Sequence, residues 1–208
     1  MDDATTRSTL LALGAATLGE SGALPMHPRL AAVWPGAAVA APAYPVRCSP
    51  ADNLAIHAAV TRAPEGSVLV VDASTIPERG YWGEVLTTGA ETRGLAGLVI
   101  DGGVRDLTAL EAHRFPVFAT MIVLRGATKE LRGTNGSPVE VGGVPVTAGD
   151  WVTADADGVV VIPGDRLDEV IAAGRARADK EEGLFTALRE GRTTVELLQL
   201  DTSPIVEA

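Results

Sequence analysis

A layered α/β fold is predicted by three features of this 208-residue sequence. Helical and extended segments alternate through Asp106, the order that favours helices packed on a sheet. Short Val/Leu/Ile runs bounded by turn residues match strands buried on both faces. The composition is 46% apolar but only 4% aromatic, so the core must be built largely from Val, Leu, Ile and Ala.

The elements follow in order. Thr9 to Leu18 is helical, with Gly19 and Gly22 ending it. Pro25 to Pro28 is a loop. Ala37 to Arg47 is apolar and extended, and Pro42 and Pro45 confine it to an edge or an irregular strand. Ser49 to Asn53 is a turn and helix start, followed by a helix over Leu54 to Arg62 that stops before Pro64. Glu65-Gly66 turns the chain into a buried strand over Ser67 to Asp72.

The stretch from Tyr81 to Asp106 organises the rest. A helix runs from about Gly83 to Arg93, with Glu84 in its first turn and Gly94 just past its end. Leu98-Val99-Ile100 is a buried strand. Gly102-Gly103 permits a tight turn with close backbone approach, and Arg105-Asp106 sits where the strand ends. A short helix covers Leu107 to Ala112, and Phe115 to Thr120 is a strand. Met121 to Pro138 is a long polar loop, a length often tied to function. Val139 to Val146 is a hairpin centred on Gly142-Gly143. Trp151 to Ala154 and Gly158 to Ile162 are strands. Asp165 caps a long helix that reaches about Arg189 and carries an acidic end at Lys180-Glu181-Glu182. The chain reads as a single domain, 1–208, of which 165–208 is a C-terminal helix and tail.

Composition excludes several functions. The formal charge of −10, from 27 acidic and 17 basic residues, opposes nucleic-acid binding. Pro35 and Pro42 break the Ala/Val-rich segment after Leu30, so no stretch reaches membrane-span length. Asp2 and Asp3 stand where a signal peptide would carry basic residues, so a cytoplasmic protein is expected. Cys48 is the one cysteine and reads as a small buried residue. No phosphate loop, dinucleotide fingerprint or nucleophile elbow is present.

His27, His57 and His113 are not spaced as a zinc pair, and His57 reads as a packed or surface histidine. The two lysines, Lys129 in a polar loop and Lys180 on a charged helix, are poor candidates for a desolvated Schiff-base amine. An enzyme stabilising an enolate here would use a metal instead. A helix start offers free amides to an anion, an arginine adds a two-pronged carboxylate contact, and an aspartate can hold a divalent cation. Glu84, Arg105 and Asp106 together suggest a site for a small metal-bound keto acid.

Gly83-Glu84-Val85-Leu86, Gly94, Gly97 and Asp101-Gly102-Gly103-Val104-Arg105-Asp106 resemble the RraA-like family. That family includes the metal-dependent 4-hydroxy-4-methyl-2-oxoglutarate/4-carboxy-4-hydroxy-2-oxoadipate aldolases. The shared signature is an acidic residue, twenty residues of any kind, then Arg-Asp, and the similarity extends over nearly the whole chain. The resemblance implies an α/β sandwich with a central β-sheet core, of the swivelling β/β/α type.

It also implies roles. Asp106 holds Mg²⁺ or Mn²⁺, with water and substrate as the other ligands. Arg105 binds the pyruvyl oxygens, and the amides of Gly83, Glu84, Val85 and Leu86 receive the carboxylate. The Glu84 carboxylate helps position a metal-bound water that relays protons. Glu181, or the adjacent Glu182, reaches a neighbouring subunit's metal through water in a homotrimer or hexamer. The implied reaction is cleavage of a 4-hydroxy-2-oxo diacid to pyruvate, with oxaloacetate decarboxylation as a side activity. Some members are instead regulators that bind a ribonuclease. A methyltransferase reading lacks the glycine-rich cofactor loop after an early strand.

Overall fold

The structure is a computed structural model and describes residues 2–206. It opens with helix α1 (Asp3–Gly19), then the two-residue strands β1 (Leu24–Pro25) and β2 (Ala31–Ala32), and β3 (Val39–Arg47). Next come α2 (Leu54–Arg62), β4 (Val68–Asp72), β5 (Gly80–Trp82), α3 (Glu84–Thr92), β6 (Gly97–Val104), α4 (Leu107–His113) and β7 (Val117–Ile122). The chain continues through β8 (Thr134–Asn135), β9 (Val139–Val141), β10 (Val144–Val146), β11 (Trp151–Asp155) and β12 (Gly158–Ile162). It closes with α5 (Leu167–Arg189) and α6 (Thr194–Leu198).

Ten strands form one mixed sheet in the order β1-β12-β11-β3-β4-β6-β7-β2, with β5 added on β6 and β8 on β3. β3, β4, β6 and β7 run parallel, and β11 and β12 extend the sheet antiparallel. The parallel strands are the apolar runs of the sequence, and every residue of β6 is buried. Helices α2, α3 and α4 pack in succession, while α1 packs on α5 and against β3, β11 and β12. The fold is thus an α/β sandwich around a central sheet with a long C-terminal helix.

Four local expectations need correction. β3 is central, between β11 and β4, although it carries two prolines. Its backbone groups alternate sides: Ala43 N donates to Asp150 O at 2.8 Å, so Pro42 faces the β4 side. Pairing with β4 begins only at Ala43, and pairing with β11 ends at Pro42. The missing N–H of Pro42 therefore falls just before the β4 ladder begins, and Pro45 lies past the end of the β11 ladder, where its carbonyl still accepts from Gly136 N at 2.8 Å.

Gly102 and Gly103 make no turn; they continue β6. Close approach is the reason for glycine. A Cβ on Gly103 would sit 2.5 Å from Arg79 O and 2.6 Å from a Val123 methyl. Asp165 lies in a 3₁₀ turn, Gly164–Arg166, and Arg166 occupies the cap of α5. α6 was not expected, although Thr193 and Glu196 form a capping box legible as Thr-x-x-Glu.

Gly103→Ala should lower stability by about 1–3 kcal/mol, the usual effect of overpacking. Denaturant midpoints at constant slope measure it. An unchanged midpoint would show that β6 and the Val123 segment are not packed this closely.

Candidate active site

Parallel strands deliver their C-terminal ends to one edge of a sheet, where α/β proteins place ligands. Here β3 leads to the turn before α2, β5 to α3, β6 to Arg105-Asp106, and β7 to the loop after Ile122. The four connections surround one cavity of about 200 Å³.

The β5–α3 and β6–α4 connections are tied at short range. Arg105 N donates to Trp82 O at 2.9 Å. The buried Trp82 indole donates to Thr87 Oγ1 at 2.7 Å, fixing the first turn of α3 on β5. Asp106 precedes α4 in the left-handed region, at φ 61°, ψ 39°, and makes no side-chain cap for its own helix. Its Oδ2 instead accepts from Glu84 N at 3.1 Å and lies 3.8 Å from Arg105 Nε. Gly83 makes this approach possible, since any Cβ there would collide with Asp106 Oδ2.

The sequence expectations meet this geometry unevenly. Gly83, Val85, Leu86, Arg105 and Asp106 line the cavity together. The early amides of a helix have no intrahelical partner, which leaves Val85 and Leu86 N–H open to an anion. The Glu84 amide is engaged by Asp106. The Glu84 side chain is not part of the cavity wall. Its Oε1 lies 3.8 Å from His113 Nε2, and His113 Nδ1 lies 2.8 Å from Glu91 Oε2. Glu181 pairs with Arg177 at 2.9 Å, and Arg177 also meets Glu20. Glu182 pairs with Arg189 at 3.3 Å. Neither glutamate lines the cavity of its own chain.

Asn53, His57 and Lys129 are also among the residues that line the cavity. His57 had read as packed or surface and Lys129 as a polar-loop residue. Burial first, and Lys129 second, push the His57 imidazole below its ordinary range, so it is neutral near pH 7. The four-residue spacing of Asn53 and His57 at the start of α2 was the available signal, since it places both on one helix face. Nothing local marked Lys129. Cys48 is no nucleophile, because burial, with Asp52 and Asp72 nearby, pushes its thiol up to about 12.

A divalent cation fits this site in one form. Among the described residues no group of three or more His, Cys, Asp or Glu could hold a metal. Zinc-type cages are therefore not built among them. Mg²⁺ and similar hard cations bind through one or two carboxylates and keep several waters. Asp106 suits that habit, with 41% of its side chain exposed and only Oδ2 held by a neighbouring amide.

The loop wall is fixed by Asp52, which is 1% exposed. Asp52 Oδ2 accepts from Thr128 Oγ1 at 2.7 Å, Glu130 N at 2.6 Å and Leu131 N at 3.1 Å, and Oδ1 accepts from Leu54 N at 2.9 Å. Burial alone would raise this carboxyl, but the four donors outweigh it and hold the group below the ordinary carboxylate range. A depressed folded-state pKa stabilises the fold above the unfolded value, about 3.9 for Asp, and the gain is lost as pH falls through the folded value. Asp52→Asn should therefore lower stability by about 1–3 kcal/mol at pH 7. The difference from the parent should shrink below about pH 4 in denaturant titrations. A difference independent of pH down to full acid unfolding would contradict the ionised anchor.

Comparison with known proteins places the fold. The RraA-like pattern, described as Aldolase/RraA, matches residues 13–161. A Halalkalibacterium halodurans protein named "Putative 4-hydroxy-4-methyl-2-oxoglutarate aldolase" is 38% identical over 152 residues, 73% of this chain and 72% of that one. The crystal structure of Streptomyces coelicolor RraAS2, an unusual member of the RNase ES inhibitor RraA protein family, superposes with a TM-score of 0.78 at 28% identity. It covers 91% of this chain and 100% of that one. A Geobacillus kaustophilus structure named as an S-adenosylmethionine: 2-dimethylmenaquinone methyltransferase gives a TM-score of 0.66 at 31% identity, over 71% of this chain and 92% of that one. With its pattern matched across most of its length and its fold shared by these relatives, the chain belongs to the RraA-like family.

Proposed function

We propose that the chain is a divalent-metal-dependent carbon–carbon lyase. Its substrate is 4-hydroxy-4-methyl-2-oxoglutarate or a related 4-hydroxy-2-oxo diacid, cleaved to pyruvate, with oxaloacetate decarboxylation as a second activity. The observation that carries this reading is the meeting of Arg105, Asp106 and the open α3 amides at one cavity.

The residues divide the work by charge. The amides of Val85 and Leu86 bind the carboxylate of the pyruvyl half. The Arg105 fork holds its planar oxygens and stabilises the negative charge that develops when the C3–C4 bond breaks. Asp106 would hold Mg²⁺ or Mn²⁺, which supplies Lewis-acid stabilisation of the same charge when bound. Lys129 places positive charge beside His57 in the same cavity, which suits the second carboxylate of a diacid. The Glu84 carboxylate, turned toward His113, stands at the edge of this arrangement.

The approach of Glu181 to a neighbouring copy's site belongs to the same proposal and makes the active species a homotrimer or hexamer. Light scattering of a fully active monomer would remove that part.

A second reading is a ribonuclease-binding regulator without catalysis. It is favoured by the likeness to RraAS2 over the whole of that chain. The methyltransferase name of another relative finds no support in a glycine-rich cofactor loop of this sequence.

Pyruvate release from 4-hydroxy-4-methyl-2-oxoglutarate separates the readings. Chelation should abolish it and Mg²⁺ or Mn²⁺ should restore it. Asp106→Asn tolerates the left-handed backbone and should keep the fold while losing about 10²-fold or more in kcat. A variant turning over at the parent, metal-stimulated rate would contradict the role of Asp106. Borohydride trapping of a substrate adduct on Lys129 would replace the metal mechanism with a Schiff base.

A further inference from the structure

The Arg105 side chain runs past three glycines. A Cβ on Gly83 would lie 3.2 Å from Arg105 Cγ, and one on Gly80 would lie 3.2 Å from Cδ. A Cβ on Gly126, in the loop after β7, would lie 3.3 Å from Nη1. The three glycines thus follow the side chain from its stem to its fork. The guanidinium makes no hydrogen bond among the described residues, and its nearest carboxylate, Asp106 Oδ2, is 3.8 Å from Nε. Packing along this path therefore sets the direction of the fork.

Two of the glycines are needed for other contacts as well. A Cβ on Gly83 would collide with Asp106 Oδ2, and one on Gly80 would come 2.6 Å from Val123 O. Gly126 differs. Among the described residues beyond 125–127, Arg105 Nη1 is the one heavy atom within 4 Å of its Cβ position. Its backbone also lies outside the left-handed region that favours glycine. A methyl group there would meet the Arg105 fork and little else.

Both backbones at this contact are fixed. Gly80 N donates to Arg125 O at 2.7 Å, and Thr128 N donates to Ala51 O at 2.9 Å, beside the Asp52 anchor. Arg105 N is held by Trp82 O at 2.9 Å. An added Cβ would therefore displace the guanidinium rather than the loop. We propose that Gly126 is a positioning residue: its empty Cβ space lets the Arg105 fork lie against the loop at the angle that meets the planar oxygens of a 2-oxo acid. Its role in turnover rests on the lyase reading, in which Arg105 stabilises the enolate. The loop that Asp52 anchors thereby acts on the reacting end of the substrate, through Arg105.

Oxaloacetate decarboxylation by the full-length, Mg²⁺-supplied protein tests this. Productive geometry tolerates shifts of about 0.5 Å, and a misplacement of about 1 Å can cost 10²-fold. Gly126→Ala should accordingly lower kcat about 10-fold. KM should change less, because the enolate carries more charge on the oxygens facing the fork than the bound keto acid does. Arg105→Lys lacks Nη1, so in that background Gly126→Ala should change kcat by less than about twofold. Equal losses in both backgrounds would overturn the assignment, as would a Gly126→Ala protein with the parent kcat.

The Arg105 Nε–H resonance of ¹⁵N-labelled protein, identified by its loss in Arg105→Lys, reads the contact without turnover. It should shift in Gly126→Ala while the denaturant midpoint stays at the parent value. An unshifted resonance would overturn the positioning role even if activity fell. Absence of decarboxylation from the parent would instead remove the lyase reading, and the resonance would still decide whether Gly126 sets the fork.

Discussion

A carboxylate oxygen of Asp106 lies 3.1 Å from the amide nitrogen of Glu84, and the two halves of the site meet at that contact. Three conditions allow it. Gly83 offers no Cβ to block the approach, Asp106 adopts a left-handed backbone, and Trp82 pins the start of α3 through Thr87. Each feature looks unfavourable in isolation. Asp106 gives up capping its own helix, and a non-glycine residue sits at positive φ. Together they place a carboxylate, a guanidinium and a helix N-terminus around one small volume.

The surrounding fold explains why that volume exists. Parallel β3, β4, β6 and β7 are buried and aligned, so the chain leaves the sheet at one edge several times in succession. The loop after β7 then closes the remaining side. Asp52 holds it with hydrogen bonds to residues 76 to 79 positions away. A buried carboxylate with four donors is a rigid anchor, so the loop presents Lys129 from a defined position despite its length.

Much of this was legible in the chain. Val68 to Asp72 and Leu98 to Ile100 are contiguous apolar runs that only buried strands need, and α2 occupies the expected Leu54–Arg62. Gly142-Gly143 announced its hairpin because both residues require positive φ. Arg105-Asp106 lies directly after a strand, where its sequence position put it. What stayed hidden depends on distance in sequence. β5 and β8 are two or three residues long and exist only through their partners. Lys129 has no local mark, because contacts with Asp52 decide where it lies. The Glu84 carboxylate lies off the cavity wall for a local reason: its backbone serves Asp106 while its side chain reaches toward His113 on α4.

The central claim is that Arg105 and Asp106 stabilise a pyruvate enolate. Exchange of pyruvate methyl protons for deuterium, followed by NMR in D₂O, tests this without cleavage of any substrate bond. With Mg²⁺ present, the protein should accelerate exchange well above the buffer rate, and Asp106→Asn and Arg105→Lys should each suppress it. Exchange at the buffer rate with folded, Mg²⁺-supplied protein would contradict the account and favour the ribonuclease-binding reading.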